Sequence, residues 1–411
     1  MIAPLAPSSK RLIVILLGGL VLIHALLFWN LREQIRNGYP DFTIFYSAGK
    51  IVARGMAHRL YDKDLQFQVQ REFTKDVKIR QAALPYNHPP FEALIFAPLS
   101  YLTYVNAYLL WDAMNLCMLL ATVLILRPHI SVLQSAPVGF WFLSILAFFP
   151  IFVALLQGQD SIVLLLLLSL VFVTLKRRHD FCAGICLGAG LFRFHLVIPV
   201  FLLLLVRKNW KAAMGFASVG IGLTLLSFAM MGWDGLLQYP AFVLEVERSL
   251  SQGTRIVTDM PNLRGLADLF SSGRGPYAFL TVAATAFVMF GLAASRWHPA
   301  LDDLGFDAGF ALTVVVTLLI AYHALVHDLS LLLIPVYLTL DFVQHRQMQR
   351  NLQALLLVPV IFFTLMGPLQ MMLWFRAGRF SLVALVLLVW ALALWRASVR
   401  RADASVTPEV V

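Results

Sequence analysis

The chain has 411 residues, of which 60% are hydrophobic and only 13% charged, with a mean hydropathy of +0.79. A soluble domain carries about 45–50% apolar and about 25% charged residues, so too few charges remain here to cover soluble surfaces. The composition excludes a soluble globular enzyme, a disordered chain and a nucleic-acid-binding module, and it points to a polytopic membrane protein. The excess of 32 Lys and Arg over 22 Asp and Glu then reads as the positive-inside bias of membrane loops, not as affinity for nucleic acid.

Apolar runs of about 17–25 residues predict spanning helices at 12–30, 106–126, 138–156, 161–175, 212–232, 277–295, 306–322, 327–343, 352–367 and 380–396. The first run is too long and too polar at its far end for a cleaved signal peptide, and reads as a retained span. Cys117, Cys182 and Cys186 all sit in apolar stretches, which argues against a disulfide framework. No repeat or linker divides the chain, so residues 1–411 are expected to form one membrane domain.

Block 182–206 is less simple. Placing Lys10-Arg11 in the cytoplasm puts every later basic cluster inside as well, except across this block, which runs from Lys176-Arg177-Arg178 to Arg207-Lys208. A single tilted span would leave one cluster outside. Two half-length helices, 182–192 and 196–206, resolve the conflict and are the favoured reading. Each reaches about 17 Å, short of the ~30 Å hydrocarbon core. The turn at Phe192-Arg193-Phe194-His195 then lies deep, inside protein or beside a cavity. The count becomes twelve membrane segments, all-α, with both termini cytoplasmic. Residues 31–105 and 233–276 form outer loops, and 397–411 a cytoplasmic tail. Within the first loop, Phe42, Ile44, Phe45, Ala48, Ile51 and Val52 recur at helical spacing and Gly55 supplies a stop. This predicts an amphipathic helix along the outer membrane surface, with a second at Leu65–Phe73.

With this topology the unusual polar residues converge on the outer face: Asp41, Asn87, His88, Gln157, Gln159, Asp160, Arg193, His195, Asn262, Arg264, His323, His327 and Asp328. Ionisable groups at membrane depth are costly and mark functional sites. Local readings compete with that one. Asp41 precedes a helix and reads locally as an N-cap, and Gln157–Asp160 can be a polar turn. Asp62-Lys63-Asp64 reads as solvated surface, not an acidic metal motif. His323 and His327 share a helical face but lack the companions of a zinc site. Cys182 and Cys186 read as buried fillers. Arg193 resists a bland account, because a guanidinium in an apolar block needs an anionic partner.

Several segments carry a resemblance. They are Tyr39-Pro40-Asp41-Phe42-Thr43-Ile44-Phe45-Tyr46-Ser47-Ala48-Gly49, Leu60-Tyr61-Asp62, and Pro85-Tyr86-Asn87-His88-Pro89-Pro90-Phe91-Glu92-Ala93-Leu94. Gly158-Gln159-Asp160, Gly190-Leu191-Phe192-Arg193-Phe194 and His327-Asp328-Leu329 follow in order. Over residues 38–345 the chain resembles glycosyltransferase family 87. The resemblance implies a GT-C fold, an active site on the outer face of a bacterial plasma (inner) membrane, and transfer of a hexose, typically mannose. The implied donor is a polyprenyl-phosphate sugar, and the acceptor a glycan or glycolipid of the cell envelope. It makes Asp41 the catalytic base. Arg193 stands where relatives commonly carry Lys, and His327, or His323, matches the later outer-face histidine.

The chemistry agrees. Transfer from a lipid phosphate needs a base for the acceptor hydroxyl and cationic groups for the departing phosphate. Arg193, His327 and His323 are the candidates for phosphate, and Asn87, His88, Gln159, Asp160, Asn262 and Arg264 for the rest of the substrate site. A phosphomonoester leaving group does not require a metal, and no metal or other cofactor is expected. The rival reading is a transporter or lipid flippase, since broken helices often form transport sites. Against it, the halves show no repeat and the polar groups lie outside the mid-membrane.

Overall fold

Apolar runs separated by basic or Gly/Pro turns become helices, and the computed structural model, which describes residues 7–74, 84–253, 257–271, 276–296 and 303–398, contains no strand among them. In chain order the helices are α1 Pro7–Asn30, α2 Arg32–Arg36, α3 Phe42–Ala53, α4 Lys63–Arg71, α5 Ala93–Phe96, α6 Tyr104–Leu126, α7 Val138–Ala147, α8 Phe149–Gln157, α9 Ser161–Lys176 and α10 Asp180–Ala189. They continue as α11 Phe194–Val206, α12 Trp210–Gly253, α13 Leu263–Ser271, α14 Pro276–Arg296, α15 Asp303–Ile320, α16 Leu333–His345, α17 Arg350–Leu365, α18 Pro368–Arg376 and α19 Val383–Ala397. Among the described residues, eight helical segments are long and apolar enough to cross a membrane, or ten if each of two bent pairs is one span. The chain is an all-α, multi-pass membrane protein.

The expected twelve segments include two pieces outside that count: α9, a shorter apolar helix of 16 residues, and a separate second half for 180–206. The two bends have local causes. Between α7 and α8 the axis turns by 71° beside Pro150, which lacks the N–H that would continue the ladder. Between α17 and α18 it turns by 93° at Met366-Gly367, just before Pro368. The span expected at 352–367 therefore ends in a corner, and α18 leaves it almost at a right angle.

The chain does reverse within 180–206. Gly184 abuts the backbone of Ala212, Gly215 that of Phe181, and Gly220 approaches Leu191, so α10 and the start of α12 run parallel. The Phe201 and Phe216 rings stack at 4.0 Å, and only Arg207-Lys208-Asn209 separates α11 from α12, so these two run antiparallel. Both ends of the α10–α11 hairpin therefore sit at the same end of the bundle, joined by a 3-10 turn at Gly190–Arg193. A Cβ on Gly184 or Gly215 would lie within about 2 Å of a facing carbonyl oxygen, which is why small residues occupy this contact. The turns into and out of the hairpin match. Arg178 and Lys208 both take positive φ, 60° and 55°, and their N–H groups close the preceding helices on the carbonyls of Leu175 and Leu205.

The first-loop helix forms as expected, with Gly55 at φ 73° as its stop. It does not lie on a lipid surface. Phe42, Phe45, Tyr46, Ala48 and Ile51 are buried in a second apolar cluster with Leu65, Val69, Tyr86, Phe96, Tyr108 and Trp111. The following stretch of chain, through α5 to α6, covers the face that sequence assigned to the membrane. The segment after 232 is not an open loop either. The α12 helix kinks at Gly232 (φ 71°) and runs on to Gly253. Its far half clamps the first loop through Lys63–Glu245 at 2.6 Å and Tyr61 rings against Tyr239 and Phe242. The larger apolar cluster is built mainly around α9, α15, α16 and α19. All three cysteines are free, Cys182 being exposed where a buried filler was expected. The tail beyond Ser398, with Arg400 and Arg401, lies outside the described residues.

Candidate active site

The turn Gln157-Gly158-Gln159-Asp160 is the pivot of the site. Gly158 ends α8 in the left-handed region, φ 61°, pressed so close to Phe42 that a Cβ would come within 2.7 Å of that residue's own Cβ. The Trp111 indole donates to the Gly158 carbonyl at 3.0 Å, and the Tyr108 hydroxyl reaches the carbonyls of Leu155 and Leu156. A turn fixed in this way aims its two glutamines and Asp160 in set directions.

Asp41 is not an N-cap. Its backbone is already helical (φ −62°, ψ −18°) and its side chain accepts no capping hydrogen bond. Instead Gln157 Oε1 accepts from the Asp41 N–H at 3.0 Å, and Gln159 Nε2 donates to Asp41 Oδ2 at 2.8 Å. Backbone and half-buried carboxylate of Asp41 are thus held by two side chains more than a hundred residues away. Asp62, by contrast, is the true cap, accepting from the N–H groups of Asp64 and Leu65 to start α4.

Arg193 has the anionic partners that its position demanded. Its Nε donates to Asp160 Oδ1 at 2.7 Å. Its Nη2 contacts both Asp160 and Gln159 Oε1, and Nη1 lies 3.6 Å from Asp328 Oδ1. Gln159 therefore bridges Asp41 and Arg193 with its two amide ends. Beyond Asp160 lies His88, whose Nδ1 is 2.9 Å from Glu92 Oε2 and 3.9 Å from Asp160 Oδ2. Burial holds His88 down at about 3, against the pull of Asp160. Burial, together with the neighbouring Asp160 charge, pushes Glu92 well above the usual carboxylate range. Burial acts on Asp160 too, but Arg193 and His88 outweigh it and hold that carboxyl below its ordinary value.

The histidines gather beside Arg193. Charges on Asp328, Arg193, Asp41 and Asp160 all act on His327, and the His195 and His323 rings meet edge-on at 6.2 Å. The Nε2 atoms of His195 and His327 are buried and have no hydrogen-bond partner. His323 lies 3.2 Å from Glu247 instead of pairing with His327 as in a zinc motif. Arg264 also contacts Glu247, at 3.1 Å, and stacks on Tyr322, so it stands at the edge of the cluster. Asn262 commits its amide to the Ala321 carbonyl and the Gly265 N–H, tying α13 to the end of α15. Asn87 is half-buried, one residue before His88. The expected set thus separates into a connected core of Asp41, Gln159, Asp160, Arg193, His88 and His327, and a rim of His323, Arg264 and Asn262.

Glu92 and Glu247 were not among the sequence candidates, while Gln157 and Asp328 were placed at the outer face with no partner assigned. A signal existed for Glu92, a lone acid inside an apolar run. Nothing local marked Glu247.

A buried network of arginine, carboxylates and histidines at one end of a membrane-spanning helical bundle marks a membrane-embedded enzyme. The sequence profile of glycosyltransferase family 87 matches residues 86–321, more than half of the chain, and the chain belongs to that family. It is therefore a membrane glycosyltransferase. No curated protein matches it in sequence. The matched stretch contains His88, Gln159, Asp160, Arg193, Asn262 and Arg264, whereas Asp41, His323 and His327 lie outside it.

Proposed function

We propose that the protein moves a hexose, with mannose favoured by the family resemblance, from a polyprenyl-phosphate donor to a hydroxyl of an envelope glycan or glycolipid. Reaction takes place on the outer side of a bacterial plasma membrane, with both termini in the cytoplasm. Asp41 Oδ takes the acceptor's proton as that oxygen attacks the anomeric carbon. The bond from this carbon to the phosphate oxygen breaks, and the polyprenyl phosphate leaves with the electron pair. A direct displacement of this kind inverts the anomeric centre.

The observation that carries this reading is the bridge from Asp41 through Gln159 to Arg193. It joins a carboxylate not consumed as a helix cap to the one cation of the buried network. The departing phosphate needs donors, and His327 and His195 offer buried nitrogens without hydrogen-bond partners, that of His327 lying 3.6 Å from Asp328 Oδ2, with His323 and Arg264 at the rim. Arg193 already serves Asp160, Gln159 and Asp328, so it acts on the phosphate as a fixed positive charge more than as a free fork. An apolar groove of about 410 Å³, lined by Phe201, Phe216, Gly220, Ile221 and Leu225 among others, opens beside the hairpin and suits a prenyl tail.

The test is transfer from a labelled polyprenyl-phosphate sugar by purified Asp41→Asn protein. Turnover is expected to fall by about 10²–10⁴-fold, the usual contribution of a general base, with donor binding retained. Near-normal turnover would remove Asp41 from the chemistry and overturn the mechanism.

A further inference from the structure

Charge does not balance in the buried network. Glu92, Asp160 and Asp328 are each at most 2% exposed. Among the described residues, Arg193 is the one Lys or Arg that forms an ion pair with any of them. If all three carboxyls are ionised, two negative charges are left over in a region where unpaired charge is very costly. The excess is focused at one point. His88 Nδ1, a Glu92 oxygen and an Asp160 oxygen lie within 4.8 Å of one another. Two carboxyl oxygens there, Glu92 Oε1 and Asp160 Oδ2, are buried and accept no hydrogen bond from an N–H or hydroxyl group.

We propose that His88, Glu92 and Asp160 form a binding site for one divalent transition-metal ion. One imidazole nitrogen with two carboxylate oxygens suits Mn²⁺, Fe²⁺ or Zn²⁺, whereas Mg²⁺ and Ca²⁺ favour all-oxygen shells. Ligand atoms about 2.0–2.2 Å from one ion stand roughly 3–4 Å apart, so the triad closes by about 1 Å on binding. Asp160 then bridges, with Oδ1 on Arg193 and Oδ2 on the ion, and the metal steadies the carboxylate that orients the guanidinium. Two positive charges cancel the surplus. The role is positioning, and it neither requires nor excludes the glycosyl-transfer reading.

The experiment uses the full chain in lipid nanodiscs, stripped with a chelator and titrated with Mn²⁺ while free Mn²⁺ is followed by electron paramagnetic resonance. A Zn²⁺ competition arm runs in parallel. Expected are one saturable site per chain and displacement of Mn²⁺ by Zn²⁺. Both His88→Ala and Glu92→Gln should weaken binding more than about tenfold, since even an outer-shell partner is worth about 10–100-fold. Gel filtration checks the fold of each variant, and the titration of the unaltered protein decides the matter without them. No saturable binding by that protein, or affinity in both variants equal to that of the unaltered protein, would overturn the proposal. Because no readout involves sugar transfer, failure of the transferase mechanism would leave this result standing.

Discussion

The helix α9 carries a buried ion pair at each end, and the two differ in their arithmetic. At its C-terminus Lys176 Nζ is 2.8 Å from both oxygens of Asp307 and 3.2 Å from the His129 carbonyl, one cation against one carboxylate. At the other end Asp160 precedes the first turn and shares Arg193 with Asp328, while His88 and Glu92 crowd its second oxygen. Both charges suit the helix dipole. The first pair is matched and works as a rivet between α9 and α15. The second is over-supplied with acid and has unsatisfied atoms, as expected where something else must bind.

The comparison can be broken by removing one partner at each end. Lys176→Met and Arg193→Met should each cost about 3–5 kcal/mol, because either strands a buried carboxylate. Thermal unfolding in nanodiscs measures this, and a loss below about 1 kcal/mol at either end would mean that water reaches the pair. Paired replacements separate the roles. Lys176→Met with Asp307→Leu should recover most of the stability and keep sugar transfer. Arg193→Met with Asp160→Leu leaves Asp328 without its cation, so it should recover less stability and lose about 10²–10³-fold in transfer, the usual effect of deleting an electrostatic stabiliser. Equal activity in the two double variants would erase the distinction.

Smaller effects sharpen it. Gly158→Ala forces a Cβ into the left-handed region and against Phe42, for a cost of roughly 1–2 kcal/mol. Transfer should fall more than stability, since Gln159 and Asp160 move with the turn. An exposed pair sets the lower limit. Hydrogen bonding to Arg54, aided by Lys50 and opposed by partial burial, lowers Glu72 from its ordinary 4.5 to about 2. A carboxylate lowered in the folded state adds stability above its unfolded value and loses it as pH falls from about 4.5 through about 2. With both partners about a third exposed, screening limits that contribution to about 1 kcal/mol. Comparing Glu72→Gln with the unaltered protein between pH 6 and pH 2 measures it.

Much of this was legible in the chain. Helical spacing placed α3, and the basic clusters on either side of 182–206, with Arg193 between them, signalled the reversal. What failed was the choice of partner. Asp41 looks like a cap because the local pattern before a helix is a cap pattern, but Gln159 lies 118 residues on and no local rule weighs it. The apolar face of α3 looks membrane-bound for the same reason, since the segment that covers it arrives some forty residues later. Arg193 announced that it needed an anion, while the identity of that anion, 33 residues away, depended on how α9 and α10 pack. Glu92 hid in Pro-Pro-Phe-Glu-Ala-Leu, where the apolar neighbours that raise its proton affinity also made it look like part of a core.

The α10–α11 hairpin has a consequence for traffic. At ten residues, α10 rises only about 15 Å before the turn, whereas α12 climbs about 33 Å before its kink at Gly232, at 1.5 Å per residue. Above the turn the hairpin adds no wall, so it forms a low sill on one flank of the bundle. The lipid-phosphate donor proposed above would slide over that sill sideways, its phosphate dipping toward Arg193 while its tail stays in hydrocarbon. Access then depends on how far headgroups must sink, a quantity set by bilayer thickness and stiffness. Membrane mechanics, more than diffusion through water, would set the pace of loading.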